Sequence, residues 1–155
     1  MTVELGQAVQ DFELTNNEGE TVKLSDYKGK NVVLYFYPKD DTPGCTTEAC
    51  NFRDNYESFQ DLDAVILGVS PDSEDSHKKF IDKHDLPFEL LVDEGKQVAE
   101  QFGVWQLKKK SGKEYKGIVR STFIIDKEGV LQQEFRNVQV EGHVEEALNY
   151  IREEL

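Results

Sequence analysis

Two cysteines stand five positions apart, and the residues before the first of them are typical of a helix start. Thr42 is a good N-cap and Pro43 a good first helical residue, with Gly44 between Pro43 and Cys45. Cys45 would then lie in the first turn, where free N–H groups and the positive end of the helix dipole stabilise an anion. Because the thiolate is the reactive form of cysteine, this placement predicts a nucleophilic sulfur at Cys45.

The second cysteine, Cys50, cannot bond to Cys45 while such a helix is intact. On an ideal helix, two Cα atoms five residues apart are separated by roughly 8.6 Å. A disulfide requires less than about 7 Å between them. Either Cys50 is an inert residue on the helix face, or the helix unwinds when Cys45 is oxidised. The spacing alone does not choose between these alternatives.

Some charged residues near Cys45 would disfavour its thiolate, and others would favour it. Asp40 and Asp41 would disfavour a thiolate, so a compensating cation is needed. Arg53 is a local candidate on the same predicted helix. Arg120 is the better candidate, because it leads directly into a predicted buried strand that would enclose its side chain and fix its direction. Pairing of Arg120 with an ordinary surface carboxylate is the alternative, and the sequence leaves both open.

The elements that must position these residues indicate a layered α/β fold. Residues 31–37 form a continuous apolar, β-branched and aromatic run, which is typical of a strand buried on both faces. Ligand chemistry in such sheets gathers at the carboxyl ends of the strands, where the segment 38–50 begins. The other predicted elements are an N-terminal hairpin (9–14 and 21–24), helices at 43–62, 73–84, 96–102 and 142–155, strands at 64–70 and 90–92, and a second hairpin (121–126 and 130–136). A lysine cluster at 108–116 is interpreted as an exposed loop.

Composition limits the function classes. A chain of 155 residues suits one domain, and we expect residues 1–155 to form it. The net charge of −13 argues against nucleic acid and anionic membrane surfaces, because both require neutralising Lys and Arg. No apolar run is long enough to cross a bilayer, and the N-terminus lacks the pattern of a secretory signal, so we expect a cytoplasmic protein.

A metal site is not indicated by the histidines. His77, His84 and His143 show no ligand spacing to each other or to the two cysteines. We expect His77 and His84 on the solvated face of a helix and His143 at the surface.

The segment 35–50 closely resembles the active-site segment of peroxiredoxins, in particular of the peroxiredoxin Q subgroup, also called bacterioferritin comigratory protein. The general family pattern, a proline, then a threonine or serine, then a cysteine, falls on Pro38, Thr42 and Cys45. A second cysteine five positions on is typical of the subgroup and falls on Cys50. The segment 117–126 is similar to the one that carries the family's active-site arginine, here Arg120.

The resemblance implies a thioredoxin-like fold, with a central mixed sheet flanked by helices and an N-terminal β-hairpin, and a thiol peroxidase without metal or organic cofactor. Cys45 would reduce hydrogen peroxide or an organic hydroperoxide and become a sulfenic acid. Cys50 would resolve it to an intramolecular disulfide, which a thioredoxin-type dithiol reductant would restore to thiols. Pro38 would shield the sulfur, the Thr42 hydroxyl would hydrogen-bond the thiolate and the peroxide, and Arg120 would stabilise the developing charge. We expect a monomer, with a dimer as the alternative.

Two other hypotheses about the function of these residues compete with the peroxidase hypothesis. A thiol–disulfide oxidoreductase acting on proteins usually carries Cys-x-x-Cys, whereas four residues separate the cysteines here. A non-enzymatic acidic interaction domain with two structural cysteines would leave the helix-start motif and Arg120 without a role.

Overall fold

The computed structural model, which describes residues 3–155, is built around a seven-stranded mixed sheet. Its strands are β1 (Glu13–Asn16), β2 (Thr21–Lys23), β3 (Asn31–Phe36), β4 (Ala64–Ser70), β5 (Glu89–Val92), β8 (Ser121–Ile125) and β9 (Leu131–Phe135), in the order β2-β1-β5-β4-β3-β8-β9. A separate two-stranded sheet consists of β6 (Trp105–Lys110) and β7 (Lys113–Ile118). The helices are α1 (Pro43–Asp54), α2 (Tyr56–Asp61), α3 (Glu74–His84), α4 (Gln97–Gln101) and α5 (His143–Glu154), with a 3₁₀ helix at Leu24–Tyr27. The predicted mixed sheet, flanking helices and N-terminal hairpin are confirmed.

Strand β3 lies in the interior of the sheet, as its apolar run predicts. All six of its residues are buried, and it pairs in parallel with β4 and antiparallel with β8. Because side chains alternate along a strand, Val33 and Tyr35 pack in the core under α1, α3 and α5. Val32, Leu34 and Phe36 pack on the opposite face, in the core that includes α4 and the N-terminal segment. The sheet is therefore covered on both faces.

The register of β3 decides where the site can form. Phe36, the last residue of β3, pairs with Ser121, the first residue of β8. The loop that follows β3 and the arginine that precedes β8 therefore lie at the same edge of the sheet. Strand β4 also ends there, since Phe36 pairs with Val69. The chain thus brings the segment from Tyr37 onward and Arg120 together, although they are far apart in sequence.

The predicted helix 43–62 is interrupted at Asn55, and this part of the prediction is wrong. Asn55 has φ −109° and ψ 11°, and it separates α1 from α2. Its side-chain amide donates to the carbonyl of Asn51 at 2.8 Å. An asparagine side chain that bonds to the backbone competes with the helical hydrogen bonds, which accounts for the break.

The lysine cluster lies on a β-hairpin and not in a loop. Strands β6 and β7 pair antiparallel, with Lys110 opposite Lys113. Ser111 and Gly112 form the turn with φ of 53° and 78°. Positive φ at both central residues is the requirement of a two-residue hairpin turn of type I′. The lysines are mostly exposed, as expected.

Among residues 3–155, no helix has the length and apolarity needed to span a membrane.

Candidate active site

The first turn of α1 places Cys45 at the carboxyl end of β3. Thr42 is the N-cap in extended conformation, Pro43 is the first helical residue, and Thr46 N donates to Thr42 O at 2.8 Å. The predicted helix start is therefore confirmed. Cys45 is 2% exposed and is a free thiol. Its sulfur lies where unpaired N–H groups of the first turn favour a negative charge.

Arg120 is the cation that contacts the sulfur. Its Nη2 donates to Cys45 Sγ at 3.3 Å, and its Nη1 donates to Glu48 Oε1 at 2.7 Å. A Cβ on Gly44 would lie 3.1 Å from Arg120 Nη2, so the glycine leaves room for the guanidinium beside the helix. One planar side chain thus fixes the sulfur and a carboxylate in a single arrangement.

The alternative cation, Arg53, points elsewhere. Its Nη1 donates to the carbonyl of His84 at 2.8 Å, and its Nε pairs with Asp54 at 3.0 Å. The sequence left open whether Arg120 belongs to the site or to the surface. The geometry favours Arg120 at the sulfur and Arg53 as a contact between α1 and the end of α3.

Glu48 is a site residue that sequence reasoning missed. It lies one turn after Cys45 on α1 and is 0% exposed, and its Oε2 has no hydrogen-bond partner within residues 3–155. Burial raises the pKa of Glu48 to about 7, and the ion pair with Arg120 only partly opposes this shift. Its position three residues after Cys45 was the available signal, because residues three apart share a helix face.

The two aspartates before α1 do not face the sulfur as the sequence suggested. Asp40 is buried, accepts hydrogen bonds from Tyr37 and Ser76, and is hydrogen-bonded to His77 Nδ1. Asp41 is exposed and pairs with Lys83 at 2.8 Å. Both carboxylates are therefore engaged with groups other than Cys45.

The other predicted site residues are less directly placed. Pro38 is half-buried in the loop between β3 and α1. The Thr42 hydroxyl donates to Lys39 O at 2.9 Å, and the structure does not bring it into a hydrogen bond with Cys45. Cys50 is a half-buried free thiol on the same continuous helix as Cys45. The separation expected for residues five apart on a helix therefore applies, and the two sulfurs are not bonded.

Two of the three histidines are buried, which corrects the expectation of surface positions. His77 is 0% exposed, and both ring nitrogens are engaged, with Asp40 at 2.7 Å and with Leu91 O at 2.8 Å. His143 is 4% exposed and contacts Thr122 Oγ1 at 2.7 Å. Burial and, second, the charge of Arg120 lower the pKa of His143 to about 4.

One cluster has atoms of metal-ligand type close together. The ligand atoms of Asp40, Asp72 and His77 lie within 4.8 Å of one another. Asp72 accepts hydrogen bonds from the Asp40 N–H and the Ser70 hydroxyl, and His77 has no free nitrogen. The donor set is consumed by internal hydrogen bonds, so the cluster fits a buried polar network and not a cation site.

A family profile and two similar known proteins assign the sequence to the same family. The sequence profile of the AhpC/TSA family matches residues 5–134. Peroxiredoxin Bcp of Bacillus subtilis (strain 168) is 65% identical, over 99% of this chain and 98% of that protein. Peroxiredoxin Bcp of Escherichia coli (strain K12) is 41% identical, over 96% and 95%.

Solved structures agree with this result. Peroxiredoxin Q of Xanthomonas campestris superimposes with a TM-score of 0.91 at 39% identity, covering 98% of this chain and 96% of that one. A trapped intermediate and ligand complex of the X. campestris bacterioferritin comigratory protein, described for its alkyl peroxide reduction activity, gives a TM-score of 0.90 at 39% identity, covering 97% and 96%.

The ionisation of Glu48 should make stability depend on pH. Its pKa is raised from 4.5 to about 7, so the folded protein holds this proton more tightly than the unfolded chain. The resulting stabilisation is complete below the pKa that Glu48 has in the unfolded chain. It is lost as pH rises through the pKa that Glu48 has in the folded protein. Between about pH 4 and about pH 8 the wild type should lose up to about 3 kcal/mol of unfolding free energy relative to Glu48→Gln.

Urea unfolding of both proteins across this pH range would measure the difference. Glu57→Gln, which removes an exposed carboxylate on α2, is the matched control and should follow the wild-type profile. Parallel pH profiles for the wild type and Glu48→Gln would contradict the assignment.

Proposed function

Because the chain belongs to the AhpC/TSA family of peroxiredoxins, which are thiol-dependent peroxidases, we propose that Cys45 and Cys50 carry its peroxidase cycle. The observation that carries this proposal is the contact of Arg120 Nη2 with Cys45 Sγ at 3.3 Å. It supplies a fixed positive charge at a sulfur that already lies in the first turn of a helix.

In the first step the Cys45 thiolate attacks one oxygen of the hydroperoxide. The O–O bond breaks, the second oxygen leaves as water or an alcohol after taking up a proton, and the sulfur becomes a sulfenic acid. Arg120 stabilises both the thiolate and the charge that develops on the leaving oxygen. The Thr42 oxygen keeps lone pairs that can accept a hydrogen bond from the peroxide O–H. Pro38 limits access of water to the sulfur.

In the second step the Cys50 sulfur attacks the Cys45 sulfenic sulfur, water leaves, and a disulfide forms. Helix α1 is continuous from Pro43 to Asp54 in the structure, so this step requires the helix to open. A dithiol reductant of the thioredoxin type then returns both cysteines to thiols by exchange.

The substrates are hydrogen peroxide and organic hydroperoxides. Activity toward alkyl peroxides is described for the similar X. campestris protein, which supports the organic part of this proposal. Both cysteines belong to one chain, so a monomer can complete the cycle, and a dimer is the alternative. We place the enzyme in the cytoplasm, where thiol reductants hold cysteines reduced.

The two cysteines should have separate tasks. Cys45→Ser should abolish consumption of peroxide, because it removes the nucleophile. Cys50→Ser should still consume about one equivalent and stop at a sulfenic acid, or turn over with a small thiol that replaces Cys50. Mass spectrometry after one equivalent of hydrogen peroxide would detect the unoxidised Cys45→Ser variant and the sulfenic acid of the Cys50→Ser variant. Wild-type turnover in Cys45→Ser would show that the assignment is wrong.

Arg120 and Arg53 offer a matched pair for testing the cation. Arg120→Ala should slow sulfenate formation about a hundredfold, because a preorganised charge at the reacting atoms is lost. The double variant Arg120→Ala/Glu48→Gln avoids leaving a buried carboxylate unpaired and should be equally slow. Arg53→Ala should keep the wild-type rate. Stopped-flow rates that do not distinguish Arg120→Ala from Arg53→Ala would exclude the proposed role.

Oxidation should be accompanied by local unfolding of α1. In the oxidised protein the amides of residues 45–56 should exchange faster than in the reduced protein, because the helical hydrogen bonds must break to bring the sulfurs together. Strand β4 serves as the internal control and should stay protected in both forms. Equal protection of residues 45–56, with the disulfide confirmed by mass, would refute the coupling.

A further inference from the structure

A buried carboxylate lies two residues before the helix cap. The side chain of Asp40 is 3% exposed, in the loop that joins β3 to α1. Its oxygens are hydrogen-bonded to three side chains: they accept from Tyr37 and from Ser76 at 2.8 Å, and one of them lies 2.7 Å from His77 Nδ1. A buried ion of this kind is tolerated only when its oxygens are fully paired. The arrangement therefore has little freedom to move.

His77 holds this carboxylate through a shared proton. Its Nε2 faces the carbonyl oxygen of Leu91 at 2.8 Å, and a carbonyl can only accept, so Nε2 carries a hydrogen. The contact between Nδ1 and the Asp40 carboxyl then needs one more proton between them. The ring is thus fixed at both nitrogens.

The backbone of Asp40 is also fixed. Its N–H donates to Asp72 Oδ2 at 2.7 Å, and the same oxygen accepts the hydroxyl of Ser70, the last residue of β4, at 2.6 Å. The side chain reaches α3 through Ser76 and His77, and His77 reaches β5. One residue of the loop is therefore tied to three elements of the scaffold, immediately upstream of the helix that carries Cys45.

We propose that Asp40 and His77 are positioning residues for the reaction of Cys45 with hydroperoxide, an inference that rests on the proposed function. They hold the loop 38–42, and thereby Pro38 and Thr42, at the mouth of the site. Asp40 is occupied by Tyr37, Ser76 and His77, so the pair acts through the backbone of the loop and not on the sulfur. Displacements of about 1 Å in such a site can slow a reaction about a hundredfold.

Asp40→Ala and Asp40→Asn test this inference as a pair. The alanine removes the network. The asparagine keeps it, since its amide oxygen can accept from Tyr37 and its amide N–H can donate to Nδ1 of a neutral His77. Asp40→Ala should slow oxidation of Cys45 by hydrogen peroxide about tenfold to a hundredfold. Asp40→Asn should restore most of the rate, and His77→Gln should be slow.

A second readout separates positioning from general damage. Alkylation of Cys45 by iodoacetamide, followed by peptide mass spectrometry that separates it from Cys50, uses the same thiolate but does not require a peroxide to be oriented beside it. Asp40→Ala should therefore alkylate at Cys45 at least as fast as the wild type. Asp75→Ala, which removes an exposed carboxylate on α3 outside the loop 38–42, is the control and should be wild-type in both assays. Equal losses in both assays, or no loss of peroxide rate in Asp40→Ala, would overturn the proposal.

Wild type and Cys45→Ser, run in parallel, keep the two proposals distinguishable. A wild type that fails to consume peroxide refutes the proposed function, whereas a reactive wild type with an equally reactive Asp40→Ala refutes only the positioning role. Should Asp40→Ala not fold, Tyr37→Phe removes one donor to the carboxylate and leaves the ring. It should show the same selective loss of peroxide rate, and an unchanged rate would equally overturn the proposal.

Discussion

The guanidinium of Arg120 joins two parts of the chain that are distant in sequence. One of its nitrogens donates to Cys45 Sγ and another to Glu48 Oε1. The contact exists because β3 and β8 pair so that their neighbouring ends meet at one edge of the sheet. The first turn of α1 and the residue before β8 therefore face each other. Without that register the sulfur would keep its helix terminus but would lose its cation.

The buried ion pair is better explained by geometry than by stability. Enclosing Glu48 removes a carboxylate from water, and its second oxygen has no partner within residues 3–155. Buried ion pairs of this kind often add little net stability, because desolvation offsets the attraction. What Glu48 does provide is a fixed direction for Arg120. A guanidinium held on one side by a carboxylate presents its remaining N–H groups to the sulfur in one orientation.

Local patterns predicted much of the fold, whereas contacts between distant segments were hidden. The apolar run of β3 and the Thr42-Pro43 helix start are properties of neighbouring residues, and both are confirmed. Glu48 was missed because a glutamate on a helix is usually solvated, and its partner Arg120 is 72 positions away. His77 was misplaced for the same reason, since Asp40 is 37 positions away. Lysines are depleted in strands, so the composition of β6 and β7 predicts a loop, although Ser-Gly between two runs of equal length marks the turn.

The continuity of α1 sets a delay between oxidation of Cys45 and formation of the disulfide. In the proposed cycle, a sulfenic acid formed at Cys45 cannot meet Cys50 until the helix opens, so it remains in the closed site until then. During the wait a second peroxide molecule competes with Cys50 for the same sulfur and would carry it to the sulfinic acid, which thiols do not reverse. The ratio of opening rate to peroxide encounter rate then decides between turnover and irreversible loss. If the cycle runs as proposed, residues that never touch peroxide, such as Arg53 with its hydrogen bond to the end of α3, would influence that ratio by stabilising the closed helix.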